Sequence, residues 1–177
     1  LETGRARNAP SAYVLRDGSC YGLRSEADLV IDADEFMAFI SEGDRHYDRQ
    51  PELALVAYQN ALDLYRGDFL QAHPYAEWCS EERERLLTAY LRIAERVAQM
   101  SMARAQWDTV IMVCQQILAH DDCWESAYRF LMEAYAQQGN HTQLVRTYER
   151  CTNRLQSELG ISPSTSTTHL FETLKNS

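Results

Sequence analysis

The sequence predicts an all-α fold, a helical solenoid with a short N-terminal β-hairpin, and three observations predict it. Apolar residues recur at helical spacing through most of the 177 residues, as in amphipathic helices with one buried face. Gly and Pro are scarce, 7 and 4, which argues against a chain of many short strands, against collagen and against long flexible linkers. A shift of 34 residues lays apolar positions on apolar positions, the mark of a repeat architecture. With 45% hydrophobic residues the chain is too apolar for intrinsic disorder. At this length folding buries about 70% of the unfolded surface, enough for an unassisted core.

Residues 1–12 read as an irregular lead. Tyr13 to Leu23 then reads as a hairpin, because Asp17-Gly18 suits a two-residue turn whose central positions need positive φ. Tyr13 and Leu15 alternate on one side of that turn, Tyr21 and Leu23 on the other. A lone hairpin is marginal in water, so it should pack on something. A third short strand fits Leu29-Val30-Ile31.

From Asp32 the period becomes helical, with Asp32 or Asp34 as cap and Phe36, Phe39, Ile40 and Tyr47 on the apolar face. Pro51 opens a second helix carrying Leu53, Ala54, Ala57, Tyr58, Ala61, Leu62 and Tyr65, and Gly67 closes it. A loop over 68–74 holds Phe69, Leu70 and Pro74. A long helix over 75–103 follows, with Leu86, Leu87, Tyr90, Ile93, Ala94, Val97 and Ala98 as its stripe and a Glu81–Arg85 pair on its solvated face. Three further helices fit 105–119, 123–138 and 140–158, Gly139 parting the last two. Gly160 and Pro163 break the pattern, and the Ser/Thr run from Ser162 caps a last helix with Leu170, Phe171 and Leu174.

The 34-residue shift carries Ala94 to Tyr128, Val97 to Leu131, Ala98 to Met132, Val110 to Leu144, Cys114 to Tyr148 and Ile117 to Cys151. This is the tetratricopeptide period. An earlier copy carries Ala54, Tyr58 and Ala61 on its second helix, set apart by an insertion of about 22 residues. Each pair buries its apolar face only against neighbours, so a tetratricopeptide-like right-handed solenoid is expected. Its groove would be lined by the first helix of each pair, with Arg92, Glu95, Gln99, Arg129, Glu133 and Gln137 as candidate groove residues.

The net charge is -9, unfavourable for coating nucleic acid. The charge is uneven: residues 1–24 carry +2 and the remainder -11. Five cysteines without a CxxC, Cys20, Cys79, Cys114, Cys123 and Cys151, speak against a disulfide framework or a zinc site. No histidine pairs with another at helical metal spacing. The His120 to Cys123 run reads as a helix end, His120 near the C-terminal dipole and Asp121 and Asp122 capping the next helix. Arg66-Gly67-Asp68 reads as a helix stop rather than an adhesion signal, and Asn140 as a helix cap rather than a glycosylation site. Trp78, Trp107 and Trp124 read as packing anchors. The sequence holds no nucleophile elbow, phosphate loop or zinc-protease motif. Catalysis, a cofactor and a metal are therefore not expected. No apolar run reaches the length of a membrane span, and a cytoplasmic location is expected.

Several signatures agree in order and spacing with a known family. Ala61 through Leu70, Glu77-Trp78, Glu82 to Leu86 with Tyr90, Arg129 to Met132, Gly139, Tyr148, and Leu155 through Pro163 with Thr167 and Leu170 resemble the bacterial transcriptional activator domain. That domain occurs in regulators of the streptomyces antibiotic regulatory protein type. The resemblance runs from about Asp32 to Leu174. In that family an OmpR-type winged-helix DNA-binding domain precedes it and ends in a hairpin wing. The resemblance therefore implies that residues 1–31 are the remnant of such a domain and 32–177 the activator domain. A start at Leu1 rather than Met fits the interior of a longer protein. The implied function is regulatory protein–protein interaction: self-association, and contacts with RNA polymerase or other domains of the same regulator. DNA would be reached only through the missing N-terminal domain, and no membrane is involved. The alternative is a ligand-sensing domain that binds a small molecule or nucleotide in the groove, where Arg92 and Arg129 could serve an anion.

Overall fold

The structure, a computed structural model, describes residues 9–24, 29–72 and 75–176. Most of the lead, with Arg5 and Arg7, lies outside the described residues, as do His73 and Pro74 of the loop. The described chain is a two-stranded hairpin followed by seven α-helices, the predicted class.

The hairpin pairs β1 (Val14–Asp17) with β2 (Cys20–Leu23) antiparallel, Val14 opposite Leu23 and Asp17 opposite Cys20. Its turn is therefore Gly18-Ser19, not Asp17-Gly18. Gly18 has φ +59 and Ser19 is not among the positive-φ residues, which suits a turn with glycine at its first central position. The one-residue difference puts Leu15 opposite Gly22 and away from Leu23, so the expected apolar face divides between both sides. Every strand residue is exposed, and among the described residues the hairpin shares no sizeable packing with the helices. Leu29 to Ile31 forms no third strand.

Helices α1 (Asp32–His46) and α2 (Pro51–Leu64) form the first pair. The N-cap of α1 is Ile31, so Asp32 and Asp34 act as first-turn charges rather than as caps. Pro51 opens α2 as expected. Leu53 is 51% exposed, and Leu55 takes the buried position instead. Helix α2 ends at Leu64, three residues before Gly67, which lies in the following loop with φ +152. A short 3-10 turn (Glu77–Cys79) leads into α3 (Ser80–Met102). Arg85 pairs with Glu82 at 2.7 Å rather than with Glu81, and Trp78 is 78% exposed, not a packing anchor. Trp107 and Trp124 do pack on the core.

Helices α4 (Trp107–His120), α5 (Glu125–Gln137) and α6 (His141–Arg154) follow, then a single π-helical turn (Leu155–Leu159) and α7 (Thr165–Lys175). Gly139 and Gly160 turn the chain at φ +69 and +68. Asn140 caps α6 by accepting from the Gln143 N–H at 3.2 Å, and Ser164 caps α7. Each helix packs on the next, while α3 also touches α5, and α5 touches α7. The first helices of the pairs thus form one layer, with α2, α4 and α6 behind them. The repeat equivalents Ala94 and Tyr128, Val97 and Leu131, Val110 and Leu144, and Ile117 and Cys151 are all buried. A core running from Phe36 to Leu155 fills the space between layers, and Met132, Leu144 and Phe171 close it under α7.

Candidate functional site

The six groove residues fall on two neighbouring first helices, Arg92, Glu95 and Gln99 on α3 and Arg129, Glu133 and Gln137 on α5. Arg92 on α3 reaches back to α1, where its Nη1 lies 3.2 Å from Asp44 Oδ2. Arg96, one turn on, pairs with the other Asp44 oxygen, donates to the Tyr58 hydroxyl at 2.6 Å and stacks over the Tyr47 ring at 4.8 Å. Tyr58 in turn donates to Asp44 at 2.6 Å. Burial works to raise the Asp44 pKa, but the Tyr58 hydroxyl and the two guanidinium groups hold it below the ordinary value. Burial and the neighbouring Asp44 push the Tyr58 phenol up to about 12. Arg92 therefore already has a carboxylate partner within the fold.

On α5, Arg129 Nη1 donates to Thr167 Oγ1 of α7 at 3.2 Å. Arg129 and Glu133 line an open groove of about 620 Å³ with Thr165, Ser166, His169 and Leu170. Burial raises the Glu133 carboxyl, with Arg129 opposing. Glu95 is half-buried on α3, while Gln99 and Gln137 are exposed.

A second concavity, of about 430 Å³, lies where no groove residue was expected. The start of α1 (Asp32, Ala33, Phe36), the loop from Tyr65 to Gln71 and Leu86 of α3 enclose it. Tyr65 stacks on Tyr90 with ring centroids 4.4 Å apart, and His120 meets both rings edge-on. The loop thereby anchors to the core through one aromatic side chain.

Among the described residues, Asp121, Asp122 and Cys123 place potential ligand atoms within 4.8 Å of one another. Asp121 Oδ1 accepts from the Cys123 N–H at 2.9 Å, and Asp122 pairs with Arg154 at 3.1 Å. These aspartates thus organise the α4–α5 turn rather than cap α5, whose N-cap is Trp124. The buried Cys114 and Cys151 thiols are pushed up to about 12 by desolvation. Both are therefore protonated near neutrality and poor nucleophiles.

Sequence reasoning missed Asp44, Tyr58 and Arg96 as a unit. One local signal existed, the four-residue spacing of Arg92 and Arg96 on a single face. Their partner is 48 residues from Arg92, beyond any helical period.

Paired helices in register, a polar first-helix layer and engaged titratable groups define a tetratricopeptide-like helical repeat domain. The fold is similar to the C-terminal TPR-containing domain of a Plasmodium falciparum protein assigned to the FK506-binding proteins: TM-score 0.57, 15% identity, 84% of this chain and 93% of that chain covered. The model of the bacterial transcriptional activator domain matches residues 31–175, and the chain belongs to that family. It is a family of transcriptional regulators, not of enzymes. The chain is also 26% identical over 170 residues to the regulatory protein DnrI of Streptomyces peucetius. The match takes in 94% of this chain but only 62% of that relative's length. Among the described residues no helix is long and apolar enough to cross a membrane.

Proposed function

We propose that the chain serves as the protein-interaction domain of a DNA-binding transcriptional activator. It would position a winged-helix DNA reader, mediate self-association and contact RNA polymerase or sensor domains of the same regulator in the cytoplasm. The observation that carries this reading is the family match across residues 31–175. The hairpin supports its N-terminal part: Tyr21 is 69% exposed and Leu23 57%, the condition of a wing parted from the domain it belongs to. The test is transcription from a target promoter by a regulator carrying this chain, with and without the helical body, beside crosslinking to RNA polymerase holoenzyme. Activation and crosslinks should both be lost with residues 32–177 deleted while DNA binding persists. Unchanged activation after that deletion overturns the reading.

A second reading, a small molecule or nucleotide bound in the groove, is favoured by one observation. Arg129 and Glu133 border an open groove beneath the last helix, where a ligand could shift α7. A thermal-shift screen over metabolites and nucleotides tests it, and a flat response in wild type rejects it.

A further inference from the structure

Between α2 and α3 the chain departs from its own period, and several apolar side chains described there stand in solvent. Tyr75 is 95% exposed, Trp78 78% and Leu70 37%. The segment is nevertheless tied down. Arg83 Nε donates to the Phe69 carbonyl at 3.0 Å and its Nη2 approaches Cys79 Sγ at 3.4 Å, with Cys79 itself buried. Leu70 has φ +53, one of two non-glycine residues with positive φ among those described. Such a conformation persists only where the surroundings over-determine it, and it concentrates at functional sites.

The cavity beside this segment has an apolar floor of Phe36, Leu64 and Leu86, with Leu70 at its lip. Around it carboxylates outnumber cations. The first turn of α1 carries Asp32, Asp34 and Glu35, and that of α3 Glu81 and Glu82. The lining itself carries Asp32 and Asp68 against Arg66, with Arg83 held beside it on the Phe69 carbonyl. Arg85 is already paired to Glu82 at 2.7 Å. An anionic rim repels nucleic-acid phosphate. It equally disfavours the acidic body of a second copy, which holds -11 outside residues 1–24. What fits an apolar floor inside an anionic rim is a segment that is apolar on one face and cationic at its flanks.

We propose that this acidic-rimmed cavity docks a partner protein through a cationic amphipathic segment. One bulky apolar side chain would enter between Phe36, Leu70 and Leu86, and flanking Lys or Arg side chains would face Asp32 and Asp68. Trp78, exposed in the turn that precedes α3, is of a residue type enriched where binding energy concentrates. The inference rests on the protein-interaction reading above and assigns it a surface.

The test uses the whole chain and a labelled helical peptide with one Trp on its apolar face and Lys on its flanks. Its control is the same peptide with Glu in place of Lys. Fluorescence anisotropy should show binding of the cationic peptide, weakened by salt, and none of the control. Leu70→Asn keeps a residue that tolerates positive φ and should raise Kd at least about fivefold. Asp32→Asn with Asp68→Asn should do the same through charge, and Glu149→Gln, an exposed carboxylate on α6, should not. Failure of the cationic peptide to bind, equal binding of the control, or an unchanged Kd in Leu70→Asn each overturns the docking site. None of these outcomes touches the broader reading, which stands or falls on the activation assay.

Discussion

Gly43 lies on α1 where a methyl group has nowhere to go. A Cβ there would sit 2.4 Å from Tyr58 Cε1 and 2.5 Å from Cδ1. The ring cannot swing aside, because Tyr58 is fully buried and its hydroxyl is committed to Asp44 and Arg96. Gly43→Ala should cost about 2 kcal/mol through overpacking, read as a lower urea midpoint with unchanged slope. Ser101 presents the opposite case. Its Oγ is buried without a hydrogen-bond partner, so Ser101→Ala should stabilise by up to about 1 kcal/mol. The Asp44 cluster also sets the pH range of stability. The folded-state pKa of Asp44 lies below its ordinary 3.8. Its contribution is therefore complete above that value and is lost as pH falls through the folded value. Tyr58, Tyr65 and Tyr128 are raised from 10.0 to about 12, chiefly by burial. Their contribution holds below pH 10 and is lost as pH climbs towards 12. Thermal melting followed by circular dichroism should give a Tm plateau between about pH 4 and 10, falling on both sides. Asp44→Asn should make the acid limb shallower, Glu125 keeping its own share, and should also soften the alkaline limb, because Asp44 helps to hold the Tyr58 phenol up.

At the scale of elements, α7 hangs on a small set of contacts. Glu125 of α5 accepts from the Ser164 N–H at 2.7 Å and from its hydroxyl at 2.6 Å, and Tyr148 stacks flat on Phe171 at 4.0 Å. Ser164→Ala removes the cap and one of the Glu125 bonds. It should cost about 1 kcal/mol and raise amide exchange over 165–175 while α1 to α4 keep their protection. Uniform loss of protection along the chain would contradict an independently fraying last helix. The order and type of the helices are legible in the sequence because the 34-residue self-similarity and the apolar period act over many turns. Ala94 with Tyr128 and Val110 with Leu144 are buried as paired. Element ends and faces are less legible. Leu53 and Leu55 are both apolar, and only the packing of neighbouring helices on α2 decides that Leu55 is covered. Gly67 looks like a helix stop, yet Tyr65 leaves the helix earlier to stack on Tyr90. Trp78 looks like core, yet stands out in solvent. Of the groove residues, Arg92 and Arg129 find partners on helices distant in sequence, Asp44 and Thr167, which no local pattern announces.

The whole molecule divides into two parts that share no sizeable packing among the described residues. The helical body is quasi-one-dimensional, each helix held by its neighbours, so its stability is close to a sum over adjacent pairs. The hairpin adds nothing to that sum: its strands pair with each other, Val14 is 40% exposed and Leu15 43%, and neither face is covered. The charge follows the same division, +2 over residues 1–24 against -11 over the rest. Mutual attraction between the parts would be long-range and screened within about 10 Å at ordinary salt, too weak to replace packing. Removing residues 1–24 should therefore leave the Tm of the helical body within about 2 °C of the full chain. Gly43→Ala and Ser164→Ala, at opposite ends of the solenoid, should lower stability additively to within about 0.5 kcal/mol in the shortened chain. A Tm drop of several degrees on trimming would mean that the hairpin supports the body through contacts of its own.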